Sequence, residues 1–339
     1  MRILVTGATG LIGCHAAAEL VRSGHDVRLL VRDPAKVERV FAPFGLGSGD
    51  FDSCEGDLLD REALMRGLDG CQGLLHCAGI FSPERRDEAR LVETNVEGTR
   101  RVLEAGRSAG IDRAVYVSSM LALFPPRGPA MRADDEVARP SSMYAITKAD
   151  AERVARGLQE EMPLTIVYPA AVQGPDDPTF SIGPELVARA LEQGEVLVTS
   201  GGLAYTDVRD LARLVVKVFT LDEPPARLMA PSFFVTHPDY HALLEDISGR
   251  RLRARRMPGW LMRALGRVGD ELQRLGREVQ LTYEAAEVLT RSVPLDDAEA
   301  RSLLDGPPIA ARESFSDLVA WMVSAGHLSA EKAGPAGRG

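Results

Sequence analysis

One stretch near the amino terminus constrains this chain more than any other. Residues 6–13 read T-G-A-T-G-L-I-G, which sets Gly7, Gly10 and Gly13 at G-x-x-G-x-x-G spacing. They follow an apolar run, Arg2–Thr6, and open a helical pattern over Ile12–Ser23. Three glycines alone mean little, but between a strand and a helix each has a physical use. Gly7 permits a tight turn, Gly10 lets the backbone approach a pyrophosphate, and Gly13 lets the helix pack close to the strand. The helix amino terminus then offers free N–H groups and a positive dipole end to phosphates. Thr9, Leu11 and Ile12 share the turn and are expected beside the same ligand.

The pattern that begins there repeats. Apolar runs at Val27–Val31, Leu74–Cys77, Ala114–Ser118 and Leu164–Tyr168 alternate with helical segments at Pro34–Phe41, Arg61–Leu68, Ala89–Ala109 and Ser142–Leu158. Such alternation predicts an α/β fold with a doubly wound parallel sheet covered on both faces. Past Gly174 the regularity loosens and prolines cluster. The expected division is a nucleotide-binding domain over 1–175, to which 203–222 returns, and a small lobe over 176–202 and 223–330. Residues 331–339, rich in Gly and Ala, read as a flexible tail.

The second strand bears on which dinucleotide is held. Val31 takes the position where an acidic residue would hold both ribose hydroxyls, and Arg32 follows. Arg32, helped by Lys36 or Arg39, can pair with a 2′-phosphate, so NADP is favoured over NAD. The alternative is that Arg32 is a solvated loop arginine. Asp33 reads as the cap of a helix that starts at Pro34. Two later segments suit the same ligand. In Gly56-Asp57-Leu58 the carboxylate can accept from an adenine amino group. In His76-Cys77-Ala78-Gly79 small residues end a strand. The alternative for either segment alone is ordinary turn chemistry.

Tyr144 and Lys148 form a Y-x-x-x-K. Residues four apart share a helix face. An ammonium beside a phenol stabilises phenolate and lowers its pKa, which suits tyrosine to acid–base work. Upstream, Ala114–Val117 leads into Ser118-Ser119, a hydroxyl at the carboxyl end of a parallel strand. Asn95 places an amide inside a helical stretch.

Taken together, T-G-A-T-G-L-I-G, G-D-L, H-C-A-G, T-N-V-E-G-T, V-S-S, Y-x-x-x-K and the later Tyr205–Ala212 segment resemble the extended branch of the short-chain dehydrogenase/reductases, the NAD-dependent epimerase/dehydratase family. The resemblance implies a Rossmann sheet with a carboxyl-terminal substrate lobe. It implies Tyr144 as general acid or base, and Lys148 on the nicotinamide ribose. Ser119 would donate to the substrate oxygen, and Asn95 would position the helix and a proton-relay water. Cys77, Ala78, Gly79, Pro169 and Val172 would line the cofactor. Sugar-nucleotide members often read R-P-x-N-V-Y-G-P after the sixth strand, whereas this chain reads Tyr168-Pro169-Ala170-Ala171-Val172-Gln173-Gly174-Pro175. Gly174–Thr179 and Gly201-Gly202 resemble instead the dihydroflavonol-reductase-like group, which includes hydroxysteroid dehydrogenases.

The expected activity is therefore NADP-dependent reduction of a bulky, apolar carbonyl, or its reverse. One rival is a nucleotide-sugar epimerase or dehydratase; another is a dinucleotide-sensing regulator without turnover. Intact Ser119, Tyr144 and Lys148 speak against the regulator, since sensing needs only the glycine turn.

Composition narrows the partners. A formal charge of −9 disfavours nucleic acid. No apolar run reaches the ~18 residues of a membrane span, and the amino terminus lacks a signal-peptide pattern, so a cytoplasmic protein is expected. Cys14, Cys54, Cys71 and Cys77 lack metal spacing and read as buried thiols; no metal is expected. A small-molecule substrate is expected, and a homodimer is compatible with the sequence. Arg250, Arg251, Arg253, Arg255 and Arg256 form either a solvated strand face or a patch for a phosphate-bearing substrate such as a coenzyme A thioester. The segment Trp260–Leu275 reads as a packed helix, a lid over an apolar substrate, or a membrane-surface contact with Arg263, Arg267 and Arg274 toward headgroups.

Overall fold

Parallel pairing needs a crossover between strands, and the helices between the short apolar strands of the main sheet supply it. In a computed structural model that describes residues 1–82, 85–277, 279 and 281–338, the first half of the chain forms β1 (Arg2–Thr6), α1 (Leu11–Arg22), β2 (Asp26–Val31), α2 (Ala35–Phe41), β3 (Asp52–Glu55), α3 (Arg61–Leu68), β4 (Gly73–His76), α4 (Glu88–Leu91), α5 (Gly98–Ala109), β5 (Arg113–Val117), α6 (Met143–Leu158) and β6 (Leu164–Tyr168). The second half forms β7 (Ala171–Gln173), α7 (Ile182–Gln193), β8 (Glu195–Val198), β9 (Gly202–Asp207), α8 (Val208–Thr220), β10 (Arg227–Met229), β11 (Phe233–Thr236), α9 (His237–Ser248), β12 (Arg253–Arg256), α10 (Gly259–Arg274), α11 (Tyr283–Thr290), α12 (Ala298–Leu303), α13 (Ala311–Ser324) and α14 (Ala330–Ala333).

The main sheet has seven strands in the order β10-β6-β5-β4-β1-β2-β3, all parallel. Successive side chains leave opposite faces. Ile3, Val5 and Leu29 pack with α1 and α8 on one side; Leu4, Leu30 and Leu74 pack with α3, α5 and α6 on the other. The strand order reverses between β1 and β4, where an open α/β sheet forms its binding crevice.

Outside that sheet, β7, β9 and β11 form a three-stranded sheet, and β8 pairs with β12. A third core holds Leu191, Val196, Leu244, Phe315 and Leu318. Among the described residues no helix is long and apolar enough to cross a membrane.

Several boundaries differ from the sequence expectation. Arg227–Met229, assigned to the lobe, is the edge strand of the main sheet, and Ala300 of α12 packs into the same core. The end of the chain does not fray as expected. Ala330–Ala333 is helical, Ala333 is buried, and the Lys332 carbonyl accepts from Arg250. The helix expected over Ala89–Ala109 is interrupted at Val92–Glu97 by a wider π-helical turn. Of the four thiols expected to be buried, only Cys14 is; Cys54, Cys71 and Cys77 are half-buried.

Candidate active site

The glycine turn shows why each glycine is there. A Cβ on Gly7, whose φ is +76°, would stand 2.6 Å from the Ala78 nitrogen, so the turn lies against the end of β4. A Cβ on Gly13 would stand 2.2 Å from the Gly7 carbonyl oxygen, which lets α1 seat on the turn. Gly10 differs. It is extended, a conformation any residue adopts, and its Cβ would meet only the Gly7 oxygen at 3.5 Å. Protein packing gives no reason for glycine there. No side chain caps α1, so its amino terminus faces an open cradle that a Cβ would narrow. These features fit a dinucleotide pyrophosphate.

β4 ends beside it in a buried polar relay. Thr99 donates to the Asn95 carbonyl, so its oxygen accepts from Nε2–H of His76; Nδ1 of His76 accepts from the Thr6 hydroxyl. Burial lowers the His76 pKa to about 3 and keeps the ring neutral. This pins β1 to β4 at the crevice. The sequence reading passed over His76, Thr6 and Thr99, because nothing in their spacing marks them as partners.

Asn95 sits in the π-helical turn. Its Nδ2 donates to the Ile80 carbonyl and to the Thr147 hydroxyl, and its Oδ1 accepts from the Ile80 N–H. Both amide hydrogens are engaged within the protein. Asn95 therefore braces the loop after β4 against α6.

Ser119 follows β5, and its oxygen accepts from the Leu121 N–H. Tyr144 lies in the first turn of α6, its ring edge-on to Phe81 at 4.8 Å. Desolvation by the surrounding protein pushes the Tyr144 pKa up to about 12, and the Ser119 hydroxyl pulls against it. The expected depression by Lys148 is absent. The Lys148 ammonium is buried, 5.4 Å from the centre of the Tyr116 ring, and its charge is held by Glu152 one turn further along α6. Burial lowers the Lys148 pKa to about 8. Glu152, fully buried, accepts from Ser118, Tyr168 and Arg156. That network anchors the helix behind the lysine.

The remaining positions follow the crevice outward. Arg32 is exposed at the end of β2 and has no ion-pair partner among the described residues; Lys36 lies 3.7 Å from Asp33. Asp33 accepts from the Ala35 N–H, so the helix begins at Ala35 with Pro34 as its cap. Asp57 turns the chain, accepting from the Leu59 N–H, and Leu58 packs on Gly98. Cys77, Ala78 and Gly79 run from β4 to the Asn95 brace, with Gly79 close to Oδ1 of Asn95. Pro169 accepts from Met120 beside Ser119, and Val172 pairs with Thr206 in the smaller sheet.

A family model described as the NAD dependent epimerase/dehydratase family matches residues 3–227. The chain is 28% identical over 338 residues to a putative dihydroflavonol 4-reductase of Synechocystis sp., covering 96% of each. It is 30% identical over 362 residues to the 4-hydroxy-2-methyl-3-oxo-4-farnesyl-3,4-dihydroquinoline-1-oxide ketoreductase of Stigmatella aurantiaca, covering 100% of this chain and 98% of that protein. The crystal structure of gox2253 matches with a TM-score of 0.81 at 25% identity, covering 97% of this chain and 99% of that one.

Proposed function

Because the chain belongs to the NAD-dependent epimerase/dehydratase family and is an NAD(P)-dependent oxidoreductase, we propose that it reduces a bulky, apolar ketone or aldehyde with NADPH, or runs the reverse oxidation. The observation that carries this reading is the pairing of an open phosphate cradle at Gly10 with Ser119, Tyr144 and Lys148 on β5 and α6.

When bound, the dinucleotide supplies or receives the hydride. The uncapped amino terminus of α1 would hold its pyrophosphate, and Arg32, with Lys36, its 2′-phosphate. Lys148 would hold the ribose hydroxyls. Tyr144, protonated at neutral pH, donates its proton to the substrate oxygen in the direction of reduction. Ser119 hydrogen-bonds the same oxygen and fixes its position. The Phe81 ring packs edge-on against the ring of Tyr144.

The relatives' names support carbonyl reduction, and that of the Stigmatella protein describes a farnesylated substrate. The epimerase alternative is weakened by Tyr168 and Ala171, which stand where many sugar-nucleotide members carry the arginine and asparagine of an R-P-x-N motif. NADPH consumption measured against aldehydes, ketosteroids and flavonoids, with product analysis of sugar nucleotides incubated with enzyme and cofactor, tests the proposal. Turnover with an apolar carbonyl is expected. Conversion of a sugar nucleotide would support the epimerase, and NADPH binding without any turnover would support a regulator.

A further inference from the structure

Helix α10 has two unlike sides. On one, Met262, Gly266 and Gly269 are buried. A Cβ on Gly266 would stand 2.6 Å from the Thr282 carbonyl oxygen, and one on Gly269 would stand 2.0 Å from that of Leu281. The helix is therefore seated closely on the chain leading into α11. The other side is bare and apolar. Trp260 is 67% exposed, Val268 54% and Leu275 78%, and Leu265 and Leu272 are exposed with them. At about 100° per residue, Leu265, Val268, Leu272 and Leu275 fall in a sector of roughly 80°, with Trp260 outside its edge.

Charge surrounds this sector. Residues 250–277 hold nine arginines against two acids, +7 in a chain whose total is −9. Arg263, Arg267 and Arg274 form a row about 140° around the helix from the middle of that sector. Arg263 donates to the Thr290 hydroxyl, and Arg267 lies over the Tyr283 ring. On β12 and just before it, Arg251 and Arg253 have side chains 98% and 82% exposed, each 3.9 Å from a glutamate, Glu245 and Glu195 respectively.

We propose that α10, with the arginines around it, is a docking face for an anionic lipid surface. An apolar sector on one side of a helix and a row of arginines on another, with a tryptophan between them, is the pattern of a helix lying in the plane of a bilayer interface. Two other occupants fit less well. In a two-fold dimer the same patch meets itself, which would set one +7 segment against another. A lid over the active site would turn its apolar side inward, whereas the bare side of α10 faces away from α11. It is α11 that touches the catalytic helix, through Glu284 and Ser142. The inference stands apart from the proposed reaction.

The test is co-sedimentation of the full chain with mixed phosphatidylglycerol/phosphatidylcholine vesicles and with pure phosphatidylcholine vesicles, at low and high salt. The expected result is binding to the anionic vesicles at least about tenfold tighter, weakened by salt, with a blue shift of Trp260 emission. Replacing Trp260 with Phe should remove the shift. The exposed pair Val268→Glu and Leu272→Glu should abolish sedimentation while circular dichroism stays unchanged. Equal or absent binding to the two vesicle types overturns the proposal. So does light scattering that shows a dimer split by the same pair of substitutions.

Discussion

The Glu284 carboxylate accepts from the hydroxyl of Ser142 at 2.6 Å and from its N–H at 3.1 Å, two residues ahead of Tyr144. It also accepts from the N–H and hydroxyl of Ser141. A carboxylate from α11 thus closes the amino terminus of the catalytic helix, where the helix dipole favours negative charge. Glu284→Ala leaves these donors unpaired and should cost on the order of 1–3 kcal/mol of stability. Because the first turn carries Tyr144, kcat should fall several-fold, while NADPH affinity, which rests on the glycine turn, Arg32 and, a turn further along α6, Lys148, should change less. Thermal melts, kinetics and a cofactor titration check this, and Glu284→Gln should recover part of both losses. A variant that melts early but keeps full kcat would reduce Glu284 to a structural cap.

Tyr144→Phe removes one hydroxyl and little volume. The fold and NADPH binding should persist, while turnover falls by about 10²–10⁴-fold, the range of general acid–base catalysis. Ser119→Ala should lower kcat with NADPH affinity intact. Near-normal turnover by Tyr144→Phe on a confirmed substrate would remove the phenol from the mechanism.

The pH profile should separate the lysine from the tyrosine. With the Lys148 pKa lowered to about 8 and that of Tyr144 raised to about 12, the ammonium is lost first as pH rises. The value of kcat/KM for NADPH, which reports the free enzyme, should therefore fall above pH 8. Stability moves the other way. Between about 8 and the ordinary lysine value near 10.4 the unfolded chain binds more protons, so this group adds about 3 kcal/mol of stability as pH rises through that window. Activity lost between pH 8 and 10 should come without unfolding. A profile flat to pH 10 would contradict the assignment.

Arg32→Ala should weaken NADPH binding by about 10- to 100-fold, the loss of a charged pair worth about 1.5–3 kcal/mol, and leave NADH binding nearly unchanged. Equal losses for both in a fluorescence titration would leave Arg32 as a solvated loop residue and remove the main support for NADP.

Much of the fold was legible because the signals were local. The glycine turn, the apolar runs and the four-residue spacing of Tyr144 and Lys148 each depend on neighbours in the chain, and β1, α3 and β6 fall within the residues the pattern marks. The edge strand at Arg227–Met229 was not legible, since three residues carry no period, and only a vacant edge beside β6 makes them a strand.

Sequence alone determined the α/β class, the phosphate-binding turn and the residue types of the Ser-Tyr-Lys set, because backbone geometry and helical spacing act over a few residues. Only the tertiary structure decided the protonation of that set. Burial raised the phenol and lowered the lysine, and the Glu152 carboxylate pulls against that lowering. Only the tertiary structure brought Glu284 from 143 residues away to Ser141, at the head of α6, and left the apolar side of α10 bare. Desolvation and contact between distant segments are properties of the packed chain, and no spacing in the sequence encodes them.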